Sequence, residues 1–274
     1  MTPPAEDGRL GLNQMTVPRW TVGQAVDGCA RHGIRHIGLW RDKVAEFGVA
    51  ASARAARDAG VAISSLCRGG WFPAASRGER RDRIEDNRRA IEEARGLGTD
   101  TLVLVCGPAP DRDLDRARRM VEEAVAELAP YAAECGVRLG VEPLHPMFAA
   151  DRSVITTLAE ASAIAERHPL ERVGVLVDAY HVWWDPAVYT EIARAGRRIF
   201  GFHINDWIVP LPDLLFGRGM IGDGVIELRR LRQAVDGAGY AGPIEVEIFN
   251  RAINAMPGDD LLRLIKERYL AHVA

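Results

Sequence analysis

Eight short apolar runs separated by longer amphipathic segments follow one another from end to end, and this alternation restricts the fold more than any other feature of the chain. The runs Leu10–Asn13, Ile34–Leu39, Val61–Leu66, Thr101–Cys106, Val137–Glu142, Val173–Asp178, Ile199–His203 and Ile244–Phe249 have the length and side chains of buried strands. Between them, Val22–Arg31, Val44–Ala59, Glu79–Leu97, Leu114–Cys135, Thr157–Arg167, Pro186–Ala195 and Leu228–Ala238 carry helical spacing, and Asp260–Ala271 closes the chain. Gly33, Gly60, Gly98, Gly136 and Gly239 each stand just before a strand, where a left-handed residue ends a helix. Their unequal spacing, roughly 25–40 residues, indicates repeated βα units and not a duplicated motif. Eight such units predict one domain over residues 1–274, an α/β fold of the closed (β/α)8 TIM barrel type. A doubly wound open sheet is the alternative, but Asn13-Gln14-Met15-Thr16 after the first strand has no phosphate-binding glycines.

Hydrophobic strands seldom finish on charge, yet four consecutive ones here do. Glu142, Asp178 and His203 end their runs, and Glu247 lies inside the last. In a barrel the carboxyl ends of the strands share one rim, so three carboxylates and an imidazole would meet there. One acidic residue at a strand end often caps the next helix. Four together with no nearby lysine would repel one another, and a divalent cation is the expected remedy. Glu245 competes with Glu247, since both point to the same face of the strand.

Composition removes several classes. Lys plus Arg number 35 against 38 Asp plus Glu, a net charge of −3, so no basic field is present to hold nucleic acid. Only Lys43 and Lys266 are lysines, both in polar or terminal segments, which argues against Schiff-base chemistry. Cys29, Cys67, Cys106 and Cys135 form no CxxC pair and read as reduced, buried thiols. Met1–Arg9 lacks the pattern of a secretion signal and no run reaches membrane-spanning length, so a cytoplasmic protein is expected.

At these strand ends the chain resembles the xylose-isomerase-like sugar isomerase and epimerase superfamily, which includes ketose 3-epimerases, inosose isomerases and dehydratases and, more distantly, abasic-site endonucleases. The resemblance is carried by Val141-Glu142-Pro143-Leu144, Val177-Asp178-Ala179-Tyr180-His181, Phe202-His203-Ile204-Asn205-Asp206, the stretch Arg218 to Gly224, and Ile244-Glu245-Val246-Glu247-Ile248-Phe249. It implies that Glu142, Asp178, His203 and Glu247 bind a metal, usually Mn2+, with Mg2+, Co2+ or Zn2+ as alternatives. It implies that His181 and Arg218 bind substrate oxygens, that Glu142 and Glu247 double as proton carriers, and that Glu247 is preferred to Glu245 because it matches the family's Glu-x-Phe ending. Asn205 stands where many relatives carry lysine, which favours a non-phosphorylated sugar. Asp206 reads equally as a partner for an imidazole or as a helix cap.

His145 departs from simple epimerases and, between Pro143 and Pro146, reads as a general acid or base, against the alternative of a surface histidine. His32, His36, His168 and His272 are expected to be structural. Trp40, Trp71, Trp183, Trp184 and Trp207 follow strands, and Trp40 and Trp183 in particular are expected to stack against a sugar ring. The leading reading is a metal-dependent enzyme that moves a proton beside a carbonyl of a carbohydrate, glycoside or cyclitol. A lyase on the same scaffold is the alternative: an inosose dehydratase, or a C-glycoside deglycosidase catalytic subunit working with a small β subunit. A homo-oligomer is compatible with either. A repair nuclease would need histidines where Trp40, Cys67 and Cys106 stand, and a non-catalytic sugar-binding module is the remaining class.

Overall fold

The computed structural model describes residues 8–274, so most of the N-terminal stretch Met1–Arg9 lies outside the described residues. The described residues form ten strands: β1 Leu10–Asn13, β2 His36–Trp40, β3 Ala62–Gly70, β4 Thr101–Val105, β5 Arg138–Glu142, β6 Val173–Asp178, β7 Ile199–Ile204, β8 Asp206–Trp207, β9 Arg218–Gly219 and β10 Ile244–Val246. Eight of them close an all-parallel barrel in the order β1-β10-β7-β6-β5-β4-β3-β2, the expected (β/α)8 fold. The remaining two, β8 and β9, form a small antiparallel pair within the long loop after β7.

Helices α1 (Val22–Arg31), α4 (Arg77–Leu97), α5 (Leu114–Glu134), α6 (Leu158–Ala165), α8 (Val188–Ala195), α9 (Leu228–Gly237) and α11 (Gly258–His272) match the expected segments closely. The segment Val44–Ala59 does not form one helix. It splits into α2 (Arg41–Phe47) and α3 (Val49–Asp58) at Gly48, whose φ of 90° is incompatible with a continuous helix. Two four-residue helices, α7 (Ala179–Val182) and α10 (Arg251–Asn254), lie in rim loops. Thr21 and Thr157 close capping boxes with Gln24 and Glu160, and so set the starts of α1 and α6.

The main apolar core lies between the barrel and its helices, with Leu12, Ile37, Leu102, Leu139, Val175 and Ile244 facing outward from six of the barrel strands. Inside the barrel, Leu176 packs with Cys67 and Val103. A Cβ on Gly140 or Gly201 would collide with Leu176, so glycine on both flanking strands is what lets one leucine fill the lumen. Cys29, Cys67 and Cys106 are buried free thiols and Cys135 is half-buried. Among the described residues no helix is long and apolar enough to cross a membrane.

Candidate metal centre and active cavity

Strand register assembles the centre. Asp178, last on β6, lies directly beside His203 on β7, and Glu142 ends β5 one strand further round. Glu247 lies just past β10, where its N–H donates to the Ile204 carbonyl at 3.0 Å. One ligand atom from each of Glu142, Asp178, His203 and Glu247 falls within 4.8 Å of all the others, and all four residues are buried.

Arg218 is threaded into this cluster. Its Nη1 donates to Asp178 Oδ2 and to Glu247 Oε2, both at 2.8 Å, and to the Glu247 carbonyl at 3.2 Å. Asp178 Oδ1 accepts from the Tyr180 amide at 2.9 Å and from Asn205 Nδ2 at 3.1 Å. Burial would push the Asp178 carboxyl up, but Arg218, His181 and His203 hold it below the usual range. Glu247 goes the other way: burial, with Asp178 and Glu142 close by, lifts its carboxyl despite Arg218.

His203 shows how the two competing glutamates divide. Its Nδ1 faces the cluster, 3.3 Å from Glu142 Oε1 and 3.9 Å from Glu247 Oε2, while its Nε2 faces Glu245 Oε2 at 3.4 Å. Glu245 therefore sits behind the imidazole, where its Oε1 accepts from Ser64 and Ser65, each at 2.8 Å, and its Oε2 from Asn13 at 3.1 Å. A Cβ on Gly38 would collide with this carboxylate. Burial depresses the imidazolium of His203, but the carboxylates, Glu245 foremost, outweigh it and push the group up to about 10.

The residues present fit a divalent cation. Glu142 Oε1 and His203 Nδ1 are buried and have no hydrogen-bond partner, a costly state that a ligated cation would relieve. Three carboxylates and one imidazole form an oxygen-rich, hard-to-borderline donor set. On the other side of the ring His203 Nε2, which also has no hydrogen-bond partner, faces Glu245 at 3.4 Å, the position that an outer carboxylate takes in metal sites.

A cavity of about 250 Å³ opens above the cluster, walled by Trp40, Phe249, Leu144 and Phe148, with His181 and Arg218 at its base. The His145 amide donates to His181 Nδ1 at 3.2 Å, so the neutral ring carries its proton on Nε2, a tautomer assigned from that contact. Burial, first of all, pulls His181 down to about 3 and keeps it neutral. Its Nε2 lies 3.2 Å from Arg218 Nη2, so two donors face each other where an oxygen acceptor would satisfy both.

Several expected site residues are placed differently. Trp40 lines the cavity, with its Nε1 donating to Asn13 at 2.8 Å, but Trp183 and His145 do not. The His145 ring is turned away, packed against Trp184 and Trp207 with centroids 5.3 and 5.1 Å off, and its Nδ1 accepts from the Met147 amide. Trp183 packs on Trp207. Asp206 neither holds an imidazole nor caps a helix: it accepts from the amides of Trp207, Gly222 and Ile226 and so folds the loop that delivers Arg218. Two charged cavity residues escaped sequence reasoning, Arg68 and Arg152; in so arginine-rich a chain nothing local sets them apart.

Residues 26–268 match the model of the xylose isomerase-like TIM barrel family. The structure superposes on protein SMc04130 from Sinorhizobium meliloti 1021 with a TM-score of 0.94 and 45% identity, covering 97% of this chain and 98% of that one. Over 192 residues the chain is 30% identical to a 3-dehydroshikimate dehydratase of Pseudomonas putida, a match that takes in 66% of this chain but only 29% of that longer protein. It is 22% identical over 193 residues to an inosose isomerase of Halalkalibacterium halodurans, covering 67% and 65% of the two chains. With the barrel, the ordered strand-end residues and this match in agreement, the chain belongs to the xylose isomerase-like TIM barrel family, whose named relatives are enzymes.

Proposed function

We propose that the protein is a divalent-metal-dependent enzyme, with manganese the favoured ion, that removes a proton beside a carbonyl of a small sugar or cyclitol and returns it, as isomerases and epimerases do. The observation that carries this reading is the buried Glu142, Asp178, His203 and Glu247 cluster, with unpartnered donor atoms, at the floor of a cavity. A bound cation would polarise the carbonyl and a neighbouring hydroxyl and acidify the C–H between them. The chain's own groups do the rest. His181 Nε2–H and Arg218 hold a substrate oxygen, and Glu142 and Glu247 carry the proton. Glu247, with its carboxyl lifted by burial, is suited to accept and return a proton near neutral pH. Trp40, Phe249 and Leu144 exclude water and offer faces to a carbon ring. A single barrel domain with unpaired cysteines fits the cytoplasm.

The second reading, a lyase in which proton removal is followed by elimination, is favoured by the 30% identity to a dehydratase. A C-glycoside substrate would add a β subunit as partner. The test is incubation of manganese-loaded protein in heavy water with ketoses, inososes and 3-oxo-glycosides. Deuterium at the carbon beside the carbonyl is expected, with product identity separating isomerase from lyase. Conversion with full retention of substrate hydrogen would indicate hydride transfer and refute the mechanism, and inertness toward the whole panel would refute the substrate class.

A further inference from the structure

The cavity lining also carries two guanidinium groups that the proposed mechanism does not use, Arg68 from β3 and Arg152 from the loop after β5. Arg218, the third cavity arginine, is already engaged by Asp178 and Glu247. Among the described residues Arg68 has no carboxylate within 4.0 Å and no side-chain hydrogen bond. Its guanidinium carbon instead lies 4.1 Å from the centre of the Trp71 ring. Arg152 stacks at 5.9 Å on Phe148; its Nε is buried without a hydrogen bond, and its nearest carboxylate is the exposed Asp151 at 3.8 Å.

Stacking on an aromatic face fixes the plane of a guanidinium and leaves its edge donors free. The backbone is bent to supply one of these faces, since Trp71 adopts φ 60°, a left-handed conformation that bulky residues avoid. The Gly107 position next to it has no room for a Cβ against the Trp71 backbone. Burial lowers the Arg68 pKa, and Arg152 is the next contributor, so the two cations repel each other, and Asp42 offsets this only as a lesser influence. A surface charge pair would be expected to find carboxylates or bulk water; this one has a half-buried wall.

We propose that Arg68 and Arg152 form an anion subsite, so that the substrate is a polyhydroxylated ketone bearing an anionic oxygen group, a carboxylate or a phosphate ester, at the end away from the metal-binding cluster. This rests on the proposed function for the position of the reacting end. Two planar guanidinium forks match a carboxylate bidentately, which makes an acid the favoured form. Val103, Val105 and Leu144 line the same cavity and suit the face of a carbon ring.

Calorimetric titration of manganese-loaded protein with quinate and with its methyl ester tests the charge, and myo-inositol 1-phosphate against myo-inositol tests phosphate as the source. The expected result is roughly 10–100-fold tighter binding of the charged member of a pair, as charge-assisted hydrogen bonds supply. The double variant Arg68→Gln/Arg152→Gln should lose that preference and keep the affinity for the neutral ligand, with Arg68→Lys intermediate. A preference confined to the phosphate pair identifies phosphate as the group. Absence of any charge preference in the wild type, lack of binding included, overturns the proposal, as does equal loss of charged and neutral ligands in a double variant that melts like the wild type. The same titrations on metal-stripped protein separate the two readings. A charge preference that persists while no metal is taken up leaves the subsite standing and removes the metal centre, and stoichiometric metal uptake without charge preference does the reverse.

Discussion

Replacing Arg218 by methionine removes the guanidinium that pairs with Asp178 and Glu247 while keeping most of the contact with Tyr180 and Phe249, whose ring centres lie 4.8 and 4.9 Å from its guanidinium carbon. Asp178 and Glu247 then lose a shared 2.8 Å donor while remaining buried. Breaking a buried ion pair by deleting one partner costs about 3–5 kcal/mol. At about 2–4 °C per kcal/mol for a domain of this size, the metal-free variant should melt on the order of 10 °C below the metal-free wild type. A divalent cation bound by the same carboxylates restores positive charge, so manganese should raise the melting temperature of the variant more than that of the wild type. Near pH 5 the penalty should shrink, because Glu247 already favours its protonated form and can shed the unpaired charge. Thermal unfolding by circular dichroism, with and without metal at pH 5 and 7.5, measures all of these. A deficit that is the same with and without metal would refute the reasoning, because the arginine would then be a packing element and not the counter-charge of a metal site.

Asp178→Ala should abolish metal uptake, measured by elemental analysis; a variant that retains stoichiometric metal would remove Asp178 from the ligand set. His145→Ala should retain metal and keep turnover within roughly tenfold, because the amide that orients His181 survives the substitution; a loss of roughly 10²–10⁴-fold would restore His145 as a general acid or base. His203, raised to about 10 without metal, holds a proton that is stabilising below its ordinary value near 6.5 and that must leave before Nδ1 can coordinate. Apparent metal affinity should therefore rise by about tenfold per pH unit from pH 7 to 8, with about one proton released per ion in calorimetry across buffers of different ionisation enthalpy; a flat profile would contradict this.

How much of this was legible in the chain follows from the range of the forces involved. Local physics determined the frame. Short apolar runs, capping residues such as Thr21 and Thr157, and a left-handed glycine before five of the strands lead to eight βα units, and eight units close as a barrel. The break at Gly48 was also local, but an amphipathic pattern runs across it unaltered, so only its φ of 90° reveals it. Charge at strand ends was visible too, because a strand's terminal residue has a position defined by its own register and by its neighbour's, as Asp178 beside His203 shows.

What the tertiary structure decided lies in the loops and in the depth of the barrel. Glu245 and Glu247 point to the same side of the chain, and only their height in the barrel assigns one to the back of His203 and the other to its front. His145 faces away from the cavity because Trp184 and Trp207, from two other loops, offer its ring a better surface. Arg218 reaches Asp178 only because Asp206 gathers the loop amides around itself, and Arg68 and Arg152 meet although 84 residues separate them in the chain. The direction of a strand side chain follows from backbone geometry that each residue carries with it. The direction of a loop side chain depends on which distant surfaces the closed barrel brings within reach, and no window of sequence contains those.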